Sequence, residues 1–447
     1  MSLACIILAA GQGTRMRSSL PKVLHHMAGF PLISHVVQAC EFLKADHIFC
    51  VLAPDMASVK AVVEPCECVI QTTPLGTGDA VKAARDSLLD FEGDIIVLFG
   101  DTPLVTPDSL QTLRDRKTAT NAAIVVSAFL PDDPLAYGRV LADDSGVVSA
   151  IVESADATPE QKQVRLCNGG LMLFDARHLW PLLDKLRNDN AKKEYYLTDC
   201  VALANAAGLK VVVETLPVDD VAGVNTRLQL AALEKVMQTR LREKHMLAGV
   251  TMLDPDSVYL CVDTQLGQDV VIGPHVVFGQ GVTVADKVEI RAFSHLEKVS
   301  IDMGATIGPF ARLRPGATIG AGAHIGNFVE IKNSSIAAGA KVNHLSYIGD
   351  ATVGAKANIG AGTITCNYDG YSKTRTEIGA GAFIGSNTAL VAPVAVGAGA
   401  IIGAGSTITQ DVPPDSLAVA RERQSHSEGW AKRFREIQES VRRIGRA

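Results

Sequence analysis

Between Leu266 and Ile408 an aliphatic or aromatic residue returns at every sixth position and is often followed by glycine. The register reads Leu266, Ile272, Phe278, Val284, Ile290, then Ile301, Ile307, Leu313, Ile319, Ile325, Ile331, and later Ile378, Ile384, Leu390, Val396, Ile402, Ile408. A period of six suits neither a helix at 3.6 nor a plain strand at 2, but it suits three short strands per coil of a solenoid. The expected fold is a parallel β-helix of about eight coils, with the aliphatics pointing inward and glycines such as Gly320 and Gly403 at the turns. The repeat alone is a scaffold, so its irregularities carry the information. The spacing shortens to five at Ile331 to Ile336 and at Ile348 to Val353, jumps between Ile290 and Ile301, and is broken by the polar stretch Thr365 to Thr374. A solenoid interior needs no such stretch.

A chain of 447 residues is too long for one core and predicts two or three domains. The net charge of -6 excludes a general nucleic-acid surface. Nine cysteines without a CxxC pair read as free thiols of a reducing cytoplasm. The opening Leu3 to Ala10 lacks a basic leader and runs into a glycine loop, so it reads as a buried strand. No apolar run is long enough to span a bilayer, and a soluble cytoplasmic protein without membrane insertion is expected.

In the first half, the strand Cys5 to Leu8 feeds Ala9-Ala10-Gly11-Gln12-Gly13-Thr14-Arg15-Met16 and then Pro21-Lys22. A strand, a glycine turn and a helix start would present N–H groups and a dipole end to phosphate, with Arg15 and Lys22 adding charge. An ordinary βα turn with two surface cations is the plainer reading of the glycines alone. Strand-like segments at 47–52, 68–71, 95–99 and 123–128 alternate with helical ones at 78–89 and 107–117, as in a doubly wound, largely parallel α/β domain. Phe99-Gly100-Asp101 ends one such strand, where a carboxylate can hold Mg²⁺ beside substrate phosphates. Residues 226–247 carry Leu230, Leu233, Val236, Met237 and Leu241 at helical spacing and read as a rigid joining arm.

The string LAAGxGTRM…PKVL resembles the signature loop of sugar-phosphate nucleotidyltransferases, and Tyr137-Gly138-Arg139, Ile151-Val152-Glu153, Asn168-Gly169-Gly170 and Glu194 to Asp199 are similar to the bacterial enzymes that make UDP-N-acetylglucosamine. That resemblance implies a UTP and UDP-sugar site at Leu8, Ala9, Ala10, Gly11, Lys22, Phe99, Gly100 and Asp101. It further implies that Gln71, Gly76 and Thr77 read the uracil, that Gly138, Glu153 and Asn168 hold the sugar, and that Asp101 and Asn225 are the Mg²⁺ ligands. On the residues alone, Thr77 is also a plausible helix cap. The chain departs from the pattern at Gln12, where lysine is common, at Gly169, where a small hydroxyl residue is usual, and at Phe99, where tyrosine is common.

In the second half, Phe310 to Gly316, Gly326 to Lys332, Asn343 to Asp350 and Asn358 to Gly370 are more polar than a coil requires. Positions about eighteen residues apart stack in such a solenoid, which brings Arg314 over Lys332. Two cations there would clamp a sugar phosphate, and His344 is a fitting general base for an amine attacking a thioester. These strings, with those of the first half, resemble the bifunctional bacterial family that joins N-acetylglucosamine-1-phosphate uridyltransferase with glucosamine-1-phosphate acetyltransferase. The resemblance covers essentially residues 2–430. It implies that His344 deprotonates the glucosamine amine with Glu330 orienting it. Arg314, Lys332, Tyr347 and Asn358 would hold glucosamine 1-phosphate, while Ala361, Asn367, Tyr368, Ser386, Ala404 and Arg421 line an acetyl-CoA site. A left-handed coil, a homotrimer and a supply of peptidoglycan and lipopolysaccharide precursors are implied by the family and not by the period.

The expected organisation is a Rossmann-like nucleotidyltransferase domain over 1–225, a helical linker over 226–250, and a β-helix acetyltransferase domain with a tail over 251–447. Trp430, Phe434, Ile437, Val441 and Ile444 give the tail an amphipathic helical stripe. Two other readings exist: a nucleotidyltransferase whose β-helix only oligomerises or regulates, as in ADP-glucose pyrophosphorylases, and a non-enzymatic scaffold, as in eukaryotic initiation-factor exchange subunits. The His344 cluster and the Asn367-Tyr368 stretch speak against the first. The Gly-Thr-Arg loop with Lys22, Asp101 and Asn225 speaks against the second.

Overall fold

Leu3–Leu8, all six residues buried, form β1 at the heart of a sheet whose other parallel members are β2 (His47–Leu52), β3 (Glu67–Ile70) and β4 (Asp94–Phe99). The computed structural model describes residues 2–134, 137–190 and 192–444, apart from the side chain at 444. Apolar runs without alternation fit strands covered on both faces. The sheet continues through β5 (Ile124–Phe129), β6 (Arg139–Ala142), β7 (Val148–Val152), β8 (Cys167–Asp175) and β9 (Val211–Thr215), in the order β9-β5-β8-β4-β1-β2-β3, with β6 paired to β8 and to β7. The sheet is largely parallel, as expected, but mixed: along this seven-strand path β8 alone is reversed, running antiparallel between β4 and β5. No local pattern marks that reversal, because a buried strand reads the same in either direction.

Helices α1 (Leu32–Phe42), α2 (Thr77–Lys82) and α3 (Pro107–Thr120) belong to this unit. The helical segment expected over 78–89 is two pieces, because α2 ends at Lys82 and a second short helix spans Arg85–Leu88. A long helix, α4 (Arg227–Leu247), follows. Its residues Leu230, Leu233, Val236 and Met237 pack with Met16, Met27, Leu32, Leu104 and Val224, so the apolar stripe read from the sequence is a packing face of this unit. Contacts divide the chain into Met1–Lys244 with Tyr259–Val262, and His245–Val258 with Asp263–Ala447.

The second unit is a left-handed parallel β-helix. Its short strands stack into three parallel ladders of ten, eight and eight strands. One ladder stacks Arg312 on Glu330 and Glu330 on Tyr347, steps of eighteen and seventeen residues. The interior residues Ile307, Leu313, Ile325, Ile331, Ile348, Ile384 and Leu390 have no exposed surface. Truncating any one to alanine would cost about 2–5 kcal/mol, the usual penalty for a core cavity. The jump between Ile290 and Ile301 is filled by the fully buried Leu296, so the repeat continues there with a step of five instead of breaking.

One corner carries bulky residues in the left-handed backbone region: His275, Phe293, Phe310 and Phe328, at φ between 54° and 60°, stacked ring on ring with centroids 4.9 Å apart. The stacking offsets part of the cost of that backbone for side chains with a Cβ. The stretch after Thr365 is an insertion. Asn358 pairs with Phe383, a step of twenty-five instead of seventeen or eighteen. Beyond the coils, α5 (Trp430–Ile444) is exposed along its described length, with Trp430 and Phe434 stacked at 5.0 Å. Among the described residues no helix is long and apolar enough to cross a membrane.

Candidate functional sites

The end of β1 opens the first site. Gly100 donates its N–H to the carbonyl of Leu8 at 3.0 Å, so the glycine loop and the turn after β4 lie side by side. The loop does not start a helix. Thr14–Met16 is a single 3₁₀ turn, and the helix dipole expected there is absent; loop N–H groups and side chains are what face a ligand. Gly13, at φ 65°, has Lys22 packed where a Cβ would stand, so only glycine admits the lysine at that approach.

Lys22 reaches across to Asp101 in a short ion pair and donates from Nζ to Asn225 Oδ1 at 3.2 Å. Arg15 donates to the same amide oxygen at 2.8 Å. Four residues separated by up to 210 positions thus meet at one point. The cleft beside them, about 230 Å³, is lined by Leu8, Ala9, Ala10, Gly11, Lys22, Gln71, Gly76, Thr77, Phe99 and Asp101, together with Val23, Pro74, Ala80 and Glu194. Gln12 is exposed.

Three of the expected residues also make contacts within the chain. Gln71 is buried and gives its amide N–H groups to the Gly76 carbonyl at 3.1 Å and to Asp79 at 2.8 Å, which shapes the 71–79 turn. Thr77 does not cap α2; its hydroxyl accepts from the Leu197 N–H at 3.0 Å, and Gly76 occupies the cap position. Gly76, at φ 115°, lies against the Tyr195 backbone, where any Cβ would collide. Outside that lining, Asn168 N–H donates to the Gly138 carbonyl at 2.9 Å, and a Cβ on Gly138 would sit 3.6 Å from the Glu153 carboxylate. The sequence-predicted sugar residues are therefore neighbours. Burial pushes the Glu153 carboxyl above its usual range, opposed by Lys192.

The second site lies on the β-helix, on both edges of the ladder that contains Arg312–Leu313, Glu330–Lys332, Tyr347–Gly349 and Ile364–Cys366. On one edge, successive coils bring His344, Ala361 and Ser386 to one corner: Gly362 donates to His344 O, Asn387 to Ala361 O and Gly405 to Ser386 O. The Arg421 guanidinium donates to Ala404 O at 2.7 Å and joins the same corner. On the other edge stand Arg314 and Lys332, with Asn367 and Tyr368 on the insertion. Asn358 is half-buried on the neighbouring ladder, stacked on Lys341.

Glu330 does not orient His344 within this chain. Arg314 holds Glu330 at 2.8 Å, while His344 Nδ1 donates to Asn327 Oδ1 at 2.8 Å. Stacking explains it: Asn327 is the register partner of His344, one coil below, whereas Glu330 lies under Tyr347. With Nδ1 protonated, Nε2 carries the lone pair. Asn367, expected to meet acetyl-CoA, is buried and donates its amide to Asp350, which Asn333 also engages at 2.5 Å; it anchors the insertion. Tyr368 is exposed, its hydroxyl donating to Gly370 O at 2.6 Å.

Sequence reasoning missed Asn327 and Lys373. Lys373 lies in the insertion, and its ammonium, brought up against that of Lys332, lowers the Lys332 pKa from the ordinary lysine value. Like charges held together mark a place for an anion. A cation inside a loop that has no place in the repeat was the available signal.

Comparison with known proteins places this geometry. Residues 5–194 match the MobA-like NTP transferase domain, 295–368 the GMPPB C-terminal domain, and 375–410 six bacterial transferase hexapeptide repeats. The bifunctional protein GlmU of Paramagnetospirillum magneticum is 54% identical over 97% of this chain and 96% of its own length. The chain belongs to the GlmU family. GlmU of Azorhizobium caulinodans is 53% identical and that of Zymomonas mobilis subsp. mobilis 50%, each over 97% of both chains. Kinship with GlmU extends over both units, so neither cluster stands outside it.

Proposed function

We propose that each cluster serves one of the two reactions this family member carries out. The chain is a bifunctional transferase of UDP-N-acetylglucosamine synthesis, with acetyl transfer from acetyl-CoA to glucosamine 1-phosphate followed by uridylyl transfer from UTP to the product. The family relationship over both units carries this reading, which assigns the acetyl step to residues 251–447 and the uridylyl step to 1–225, joined by 226–250.

In the uridylyl step, an oxygen of N-acetylglucosamine 1-phosphate attacks the α-phosphorus of UTP, and the bond to the β-phosphate breaks to release pyrophosphate. Arg15 and Lys22 take up the negative charge that develops on the phosphates. Gly138, Glu153 and Asn168 orient the sugar, and holding both substrates supplies much of the rate. The 71–79 turn, with Gln71, Gly76 and Thr77, receives the uracil. Mg²⁺ fits the donor set, because Asp101 and Asn225 present a carboxylate and an amide oxygen that converge on one cation, here the Lys22 ammonium. When bound, such an ion supplies charge neutralisation at the phosphates.

In the acetyl step, the amine nitrogen of glucosamine 1-phosphate attacks the thioester carbonyl, the C–S bond breaks, and His344 Nε2 takes the amine proton. Asn327 fixes the imidazole. Arg314, Lys332 and Lys373 meet the phosphate, Tyr347 and Asn358 the sugar, and Ala361, Tyr368, Ser386, Ala404 and Arg421 the coenzyme, while Asn367 holds the insertion. A homotrimer suits these open faces, since flat-sided solenoids pack around a three-fold axis.

The test is CoA release from acetyl-CoA and glucosamine 1-phosphate, followed with a thiol reagent, for wild type and His344→Ala. Loss of about 10²–10⁴-fold in the variant is expected for a general base, with synthesis of UDP-N-acetylglucosamine from UTP unchanged. A variant that keeps wild-type release refutes the role given to His344.

A further inference from the structure

Strand β8 does not pair evenly with β5. Asn168 lies opposite Ala128 and Met172 opposite Val126, so Gly169, Gly170 and Leu171 together face Ser127 alone. Three residues against one leave the ladder short of acceptors. The Leu171 N–H, at a residue with no exposed surface, donates to Ser127 Oγ at 3.0 Å. Ser127 is itself fully buried. An unmet buried N–H is costly, so this hydroxyl is what permits the bulge.

The bulge is tightly constrained. A Cβ on Gly169 would lie 2.6 Å from Ser127 Oγ and 3.1 Å from Val221 Cγ1. Gly170, at φ 85°, has the Phe99 ring 3.2 Å from where its Cβ would stand, next to the Phe99-Gly100-Asp101 turn. Asn168, at the start of the bulge, accepts from the Gly170 N–H at 3.0 Å through Oδ1, which occupies the amide oxygen and leaves Nδ2 as the donor. We propose that Ser127 is a positioning residue for uridylyl transfer, whose hydroxyl holds the 169–171 bulge and thereby aims the Asn168 amide at the sugar of N-acetylglucosamine 1-phosphate. The absence of a side chain at 169 and the hydroxyl at 127 are one device. This rests on the reading of Asn168 as a sugar-binding residue.

The experiment is steady-state kinetics on the full-length enzyme. Ser127→Ala raises KM for N-acetylglucosamine 1-phosphate about tenfold, the scale of one lost hydrogen bond. KM for UTP and the rate of acetyl transfer stay at wild-type values, and Ser127→Thr, which keeps the hydroxyl, restores the sugar KM. Gly169→Ala displaces the hydroxyl and gives the same change. In the double variant the two effects do not multiply, because residues acting through one contact are coupled. Ser127→Cys gives an intermediate KM and serves where alanine does not fold. An unchanged sugar KM in Ser127→Ala, or an equal rise for both substrates that threonine does not repair, overturns the proposal. Asn168→Ala separates the two claims: if it leaves the sugar KM unaltered the reading beneath falls, and if it alone raises it only the role of Ser127 falls.

Discussion

In the first unit the charged groups of the site face partners of opposite sign, Lys22 on Asp101; in the second, Arg314 is likewise held by Glu330, but two ammonium groups, Lys332 and Lys373, face each other. The contrast follows from architecture. A doubly wound sheet ends its strands in a concave cleft, where loops from distant positions can satisfy one another before a ligand arrives. A solenoid offers flat faces and corners, so its cations are only partly balanced within the chain, Arg314 by Glu330 and the lysine pair by Asp350, and can take further counter-charge from a ligand. The first site is therefore pre-balanced, and the second, with two ammonium groups against one shared carboxylate, keeps positive charge to spare for an anion.

The sharpest way to break this contrast is to remove the balancing charge. Asp101→Ala is expected to lower pyrophosphate release by about a thousandfold, the scale of several kcal/mol of charge stabilisation, and to leave acetyl transfer intact. Parallel loss of both activities would show that the two regions are not independent. A smaller effect is expected from Lys373→Ala. It should raise KM for glucosamine 1-phosphate about tenfold at neutral pH, as one charge-assisted contact is lost. In wild type, Lys332 has a lowered pKa, so its charge is lost sooner as pH rises and the alkaline rise in KM comes early. In Lys373→Ala that rise moves to higher pH; a limb that stays in place would show that Lys332 does not meet the phosphate.

The smallest effect is at Glu153, whose carboxyl burial raises above the usual range. Because the folded-state value is raised, ionisation costs stability above the ordinary glutamate range, and that cost is relieved as pH falls through the folded value. The same protonation weakens the acceptor to the sugar. KM for N-acetylglucosamine 1-phosphate should therefore climb on acidification from a higher pH than for a solvated carboxylate, and Glu153→Gln should flatten that limb.

Much of the fold was legible because its signals are local. The six-residue period, the interruption at 365–374 and the glycine loop after β1 each follow from short stretches. What stayed hidden depends on register between distant segments. The antiparallel course of β8 leaves no mark in its own apolar run. The partner of His344 is decided by a coil of seventeen residues, which puts Asn327 beneath it and moves Glu330 to the next face. The 3₁₀ turn at Thr14–Met16 replaces the expected helix because the chain must double back for Lys22 to reach Asp101. At Gly169 the departure from the usual residue was visible, but its reason, the Ser127 hydroxyl on another strand, was not.

The twenty-five-residue coil has a consequence for how such a chain can change. The extra length leaves one ladder after Cys366 and rejoins the next at Thr376, where Thr376 pairs with Ala351 and restores the stack. Its two ends leave and re-enter at adjacent points of the frame, so its length and composition can vary while every coil above and below keeps its place. The solenoid is in this respect a rack with one open slot. New chemistry can be fitted there by lengthening a single rung, without renegotiating the packing of the rest.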